Sequence, residues 1–423
     1  MSTIVELLAC RGNYNEDIER YIQEIPKIEL HVHLDGAFST EVLFRHLREK
    51  NAYDSLPIIC VLPWDQSPWP VRQLVEDCQN FNQFHSLCTC RGKQSLTEMI
   101  KCFEIFVPLV QGKLDLIEEL SYDFCRRQAE QRVIYTECRY SPHFLAEGAS
   151  LTGSKPVDAT PVFHAVTRGL RRGSSEYGIV VNQILCCITW RPDWADEVIE
   201  IASAFRDDYP CAVVGVDIAA GEEHFDAERF PHLHLPHVKA MQKAQDLNLN
   251  ITMHAGEVGS TDNIKLAITT YGATRIGHGY RVVEDLELMD EIREKKIHLE
   301  VCPTSSRETG GWEVTGQNDW TKHPCVTMIE NNISVTFNSD DPAVFNTSLS
   351  WQYRTVVAKM KRDKSVLLAA IKCGIDAAFC SKEQKQSLLR IIEGYDTGAS
   401  LECQKTMFQD RVIENKLIPA ESL

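Results

Sequence analysis

The chain has 423 residues, 43% hydrophobic and 25% charged, a globular composition and not a disordered or fibrous one. Sixty acidic against 44 basic side chains leave a formal charge of −16, a field that repels phosphate backbones and anionic lipid. Nucleic acid polymers and membrane surfaces are thereby excluded as partners, and an uncharged small molecule is not. Sixteen cysteines, several in apolar runs (Cys138, Cys186, Cys187), read as reduced thiols, because a chain this long buries a core without staples. The first residues carry neither a basic segment nor a long apolar one. No apolar run approaches the ~20 residues a membrane-spanning helix needs, and the expectation is a soluble, cytoplasmic protein.

In chain order, β-rich runs recur at Ile28–Leu34, Val133–Tyr140, Ile179–Cys187, Ala212–Ile218, Ile251–His254, Arg275–Gly277, Ile297–Val301 and Ile333–Asn338. Several are almost continuously apolar, as parallel strands buried on both faces are. Helical patterns at Trp194–Phe205, His237–Leu247, Asp262–Tyr271 and Asp285–Lys295 fall between the later ones. This alternation predicts an α/β fold closed into a (β/α)8 TIM barrel. An open doubly wound sheet is the alternative, but no glycine-rich fingerprint follows the first strand.

The whole chain, 1–423, reads as a single barrel domain with its core at about 26–345 and extra helices at about 349–404 packed on the finished barrel. A long insertion after strand one, at about 55–93, carries Pro57, Pro63, Pro68 and Pro70 with Cys60, Cys78, Cys88 and Cys90. It is expected to lie over the barrel mouth as decoration, since it lacks the paired Cys-x-x-Cys spacing of a zinc site.

The chemistry-bearing residues sit where β runs end. In Glu29-Leu-His31-Val-His33-Leu-Asp35-Gly36 the two imidazoles are two residues apart, so a strand turns both to one side. Imidazole is a common zinc ligand. A third histidine, His254, ends strand five, with Glu257 three residues on; His278 ends strand six, and Asp340-Asp341 end strand eight. In a barrel all these ends ring one mouth, which predicts a shared metal site there. A second histidine cluster, His224, His232, His234 and His237, shares its stretch with Pro231 and Pro236 and is expected to be loop, with no metal.

The blocks His31-Val-His-Leu-Asp-Gly36, Met253-His-Ala-Gly-Glu-Val-Gly259, Gly277-His-Gly-Tyr280 and Ser339-Asp-Asp-Pro342 resemble the signature blocks of the adenosine deaminase family, in the same order. Arg139-Tyr-Ser-Pro-His143 and Ile184-Leu-Cys-Cys187 resemble further family segments. The resemblance runs from about Pro26 to Phe345. It implies that His31, His33, His254 and Asp340 ligate one Zn2+ per chain, that Glu257 donates a proton to purine N1, and that His278, assisted by Asp340, orients the attacking water. It further implies that Asp341 meets N7, that His33 and Asp35 contact the nucleoside, with Asp35 on the 5′-hydroxyl, and that Leu96, Met99, Ile100 and Phe103 form a lid. Where the family reads Asp-Leu-Ala-Gly-Asp-Glu, this chain has Asp217-Ile-Ala-Ala-Gly221-Glu-Glu223, one residue longer. Either Ala220 or Gly221 takes the place of the glycine that meets N3; Gly221 is preferred because a missing Cβ permits close approach.

The implied activity is zinc-dependent deamination of adenosine, with 2′-deoxyadenosine, in purine salvage. The nearest alternative is a deaminase of AMP or N6-methyl-AMP. A binuclear amidohydrolase would need a bridging ligand ending strand four, which the neighbours of Asp217 do not offer. The deaminases that pair His-x-Glu with Pro-Cys-x-x-Cys are matched only by His298-Leu-Glu300, inside a strand. A non-catalytic metal-stabilised binding protein or growth factor would have no use for Glu257, His278 and Asp341. The sequence leaves the oligomeric state open.

Overall fold

The computed structural model describes residues 15–61, 67–90, 92, 95–149, 156–222, 230–312 and 319–396. Eight strands, β1 (Lys27–His33), β2 (Val133–Tyr140), β3 (Val180–Ile188), β4 (Val213–Ala219), β5 (Asn250–Ala255), β6 (Arg275–His278), β7 (His298–Val301) and β8 (Val335–Phe337), pair in sequence order, all parallel. They match the β-rich runs to within two residues at nearly every boundary. Closure comes from residues just past β8. The Asp340 N–H donates to the His31 carbonyl at 3.1 Å, and the Asp340 carbonyl accepts from His33 at 2.8 Å. The Asn338 side chain accepts from the Leu30 N–H at 3.0 Å. Between β4 and β5 only Gly215–Asn250 and Val216–Ile251 pair; further along, the side chains of Asp217 and His254 bridge the two strands.

The barrel interior is polar at its centre. Arg139 donates to Asp217 at 2.9 Å and to Glu300 at 2.6 Å; Arg275 donates to Glu300 at 2.7 Å and to Glu137 at 2.6 Å, and all five side chains are inaccessible or nearly so. A lone buried charge costs several kcal/mol, so such groups persist only when paired and hydrogen-bonded, as these are.

The helices lie outside. The helix Leu96–Val110 starts where the Ser95 hydroxyl accepts from the Glu98 N–H, a standard way to satisfy a free N-terminal donor. The insertion folds as two short helices, Val71–Glu76 and Phe81–Leu87, with Cys60 and Trp69 paired by backbone. It is tied to the helix Leu96–Val110 by the Cys60 thiol donating to Glu104 at 3.3 Å, and to the segment after β8 by the Cys90 N–H on the Val344 carbonyl at 2.9 Å. Pro63 lies outside the described residues. The helices Leu349–Arg354, Ser365–Ala377 and Lys382–Asp396 follow the barrel, and Phe379 lies 3.7 Å under the Arg275 guanidinium at the start of β6. No helix among the described residues is long and apolar enough to cross a membrane.

One expectation is corrected. The histidine-rich stretch from Pro231 is helix, running Pro231–Asp246, and not loop. Proline is accepted at the first helical position, where its missing N–H would have no partner anyway, and Pro236, inside the helix, gives up one backbone hydrogen bond. Its histidines hold structure: His234 bonds the Tyr271 hydroxyl at 2.8 Å and His237 the Thr189 carbonyl at 3.1 Å. His224 lies outside the described residues.

Candidate active site

Extended backbone turns His31 and His33 to one side of β1, and β5, β6 and β8 deliver His254, His278 and Asp340 opposite them. One ligand atom from each of His31, His33, His254 and Asp340 lies within 4.8 Å of the others. Nε2 of His33 and Nε2 of His254 are 3.1 Å apart, and Asp340 Oδ1 is 3.1 Å from His31 Nε2 and 3.5 Å from His33 Nε2. Three imidazole nitrogens and a carboxylate facing one point fit a zinc ion in ligand type and number.

The far sides of two of the rings are fixed. His31 Nδ1 lies 2.8 Å from Glu300 and His254 Nδ1 2.9 Å from Asp217, the two carboxylates already held by Arg139. Such outer partners keep the Nδ1 proton away from the centre and leave Nε2 as the ligating atom. His278 and Asp340 both take positive φ, 68° and 63°, uncommon for non-glycine residues and often found at functional sites.

Above this cluster opens a cavity lined mainly by apolar side chains. His33, Asp35, His254, Glu257, His278, Asp340 and Asp341 reach it, as does the helical stripe Leu96, Met99, Ile100 and Phe103. His31 is buried beneath. Gly221 is not among the lining residues; Ala219 and Ala220 are. Ala220, the alternative to Gly221, takes the left-handed conformation, φ 82°. Sequence reasoning also left out Ser141, Phe144, Cys186, Ile188 and Trp190 on the wall. Of these, only Ser141 and Cys186 lay in segments the motifs had drawn attention to.

The carboxyls differ sharply. Burial, then the charge of Asp340, pushes Glu257 up to about 8, and burial pushes Asp35 up to about 7. Asp341 is held well above the usual carboxylate range by burial and by Asp340 beside it. Oε1 of Glu257 and Oδ1 of Asp341 are buried without partners, as groups awaiting a ligand would be. Asp341 fits only because Gly36 has no side chain: a Cβ there would lie 1.7 Å from Asp341 Oδ1.

A parallel barrel with an imidazole–carboxylate cluster at its C-terminal mouth is the architecture of a barrel enzyme, whose active site sits at that face. The adenosine deaminase family model matches residues 26–395. With that match, and an adenosine deaminase of Danio rerio 33% identical over 376 residues (88% of this chain, 95% of the relative), the chain belongs to the adenosine deaminase family. Among solved structures, the N6-methyl-AMP deaminase of Arabidopsis thaliana aligns with a TM-score of 0.66 at 25% identity, covering 90% of this chain and 99% of that one. The adenine deaminase of Arthrobacter aurescens aligns with a TM-score of 0.70 at 19% identity, covering 88% and 100%, a likeness of fold.

Proposed function

We propose that the chain, acting as one barrel domain, catalyses hydrolytic deamination of adenosine and 2′-deoxyadenosine to the corresponding inosines and ammonia. The observation that carries this reading is the buried Glu257 carboxyl, its Oε1 without a partner, in an apolar cavity beside the imidazole–carboxylate cluster. Adding water at C6 of a purine requires a proton on the ring, and Glu257 would deliver it to N1. His31, His33, His254 and Asp340 would hold one Zn2+, which when bound supplies a water acidic enough to serve as nucleophile at neutral pH. His278, 3.6 Å from Glu257 and 4.0 Å from Asp340, would orient that water, with Asp340 assisting.

Purine N7 is an acceptor and needs a donor; Asp341, kept protonated, would be one. Asp35 would bond the 5′-hydroxyl, His33 would flank the ribose, and Leu96, Met99, Ile100 and Phe103 would cover the base. The wall at Ala219–Ala220, in place of Gly221, would face the purine edge. A 5′-phosphate would call for cations, and none of the described lining residues is Lys or Arg. That favours a nucleoside over the AMP-type substrate named for the Arabidopsis structure. The buried Cys125, Cys138, Cys186 and Cys187 are free thiols, which supports a reducing, cytoplasmic setting, and purine salvage is the role the activity would serve there.

One spectrophotometric comparison of adenosine, deoxyadenosine and AMP tests the reading. Both nucleosides should turn over, with AMP slower by roughly 100-fold or more. A preference for AMP would overturn the substrate, and no turnover of any of the three would overturn the reaction.

A further inference from the structure

Just past the Ala219–Ala220 wall, Glu222 is 1% exposed, and its carboxylate is held by the loop that carries Glu257. Oε2 accepts from the N–H groups of Glu257 at 2.9 Å, Val258 at 2.8 Å and Gly259 at 2.8 Å; Oε1 accepts from the Gly256 N–H and from the Asn263 side-chain amide at 3.2 Å. Four successive backbone donors closing on one anion form a nest, an arrangement that proteins otherwise offer to phosphates. The loop is shaped to this carboxylate: a Cβ on Gly259 would stand 2.3 Å from Asn263 Nδ2 and 3.0 Å from Glu222 Oε1.

We propose that Glu222 is a positioning residue for Glu257, fixing the proton donor against the cavity wall that meets the purine. The inference rests on the functional reading above and adds a residue to it. The physical argument is one of connection. β4 and β5 pair by backbone only at Gly215–Asn250 and Val216–Ile251, so their C-terminal ends need another tie at the height of the cavity. Below, Asp217 and His254 supply one. Above, Glu222 supplies the other, and one of its bonds is to the N–H of Glu257 itself. The same short segment forms the wall at Ala219 and Ala220, so wall and acid are set at a fixed spacing by a single side chain. Without the carboxylate, four N–H groups on a mostly buried loop lose their partner together, and the loop must find another conformation.

Misplacing a reacting group by about 1 Å can cost 100-fold in rate, which sets the scale. Glu222→Ala should lower kcat for adenosine by roughly 10- to 100-fold with KM changed by no more than about threefold, and metal content and folded signal retained. Glu222→Gln keeps one acceptor and should fall between the two, since its amide turns a donor toward the Gly256 N–H. The decisive comparison is on a Glu257→Gln background, where Glu222→Ala should cost almost nothing further, because the two act as one unit.

Hydrogen exchange adds a readout independent of turnover: the amides of residues 256–259 should be protected in the wild type and lose protection in Glu222→Ala. If Glu222→Ala lowers the melting temperature but leaves kcat intact, or if its loss is fully additive to that of Glu257→Gln, the positioning role is overturned. A wild type that turns over no adenosine overturns the functional reading instead, and unprotected 256–259 amides in that wild type overturn the clamp as well.

Discussion

Gly36→Ala isolates one contact of the proposed site without touching a charge. The added methyl carbon would lie 1.7 Å from Asp341 Oδ1, 2.6 Å from its Cγ and 2.8 Å from its Cβ. Ordinary contacts begin near 3.4 Å, so one partner must retreat by about 1.7 Å. Backbone shifts are opposed on both sides: the Gly36 carbonyl accepts from Ala343 at 2.9 Å, and the Asp341 carbonyl from Phe345 at 2.9 Å. The Asp341 side chain is therefore the part that turns away, and the bond to the purine proposed for it goes with it. Leaving a buried purine acceptor unpaired, at about 1–3 kcal/mol, lowers kcat/KM for adenosine by roughly 5- to 160-fold. Overpacking adds about 1–3 kcal/mol of destabilisation, read as a lower melting temperature. Metal content should be unchanged, and Asp341→Ala should show a similar loss that Gly36→Ala does not deepen. A Gly36→Ala enzyme within about threefold of wild-type kcat/KM would refute both the role of Asp341 and the packing argument.

Glu257→Gln should keep metal and bind adenosine while losing roughly 100- to 10,000-fold in turnover; loss of metal would mean that Glu257 is a ligand. The purified chain should carry one zinc by elemental analysis, absent from His31→Ala/His33→Ala, and Glu300→Gln should weaken retention against a chelator by roughly 10- to 100-fold through its hold on His31. Full stoichiometry in the double variant would remove the ligand assignment. Asp35→Asn should cost adenosine roughly 10-fold in kcat/KM and narrow its lead over AMP; an unchanged ratio would leave Asp35 as a turn residue. Burial holds His237 down to about 4 and His298 and His323 down to about 3, so the unfolded chain binds protons that the fold does not. Stability from these sites is complete above about pH 6.5 and falls below it by up to about 1.4 kcal/mol per pH unit for each, down to its folded value. A melting temperature no lower at pH 5.5 than at pH 7.5 would contradict this.

The barrel was legible because its strands are short apolar runs that end in chemistry: His31, His33, His254, His278 and Asp340 each close or border a β run and meet at one mouth. What escaped was set by tertiary context. Glu137, Asp217 and Glu300 look out of place in buried strands until Arg139 and Arg275 are seen between them, and pairing across strands leaves no mark on local periodicity. Between Ala220 and Gly221 the sequence could not show which borders the cavity; in the fold it is Ala220, with φ 82°. Pro231 read as a breaker although at a helix start it is a favoured residue. Glu222 stood among ordinary loop residues, and nothing local announced that four N–H groups would close on it.

Asp340 does two jobs with different atoms. Its backbone joins the last strand to the first, while its carboxylate stands among the imidazoles. Completing the ring and completing the reactive centre are thus a single event, requiring residues some three hundred positions apart to meet. Contacts of such long range are entropically the most expensive to form and come late in folding. A partly folded chain therefore cannot display half a working site, and a nascent chain holds no assembled cluster until its eighth strand has arrived. Competence for chemistry and topological completion coincide.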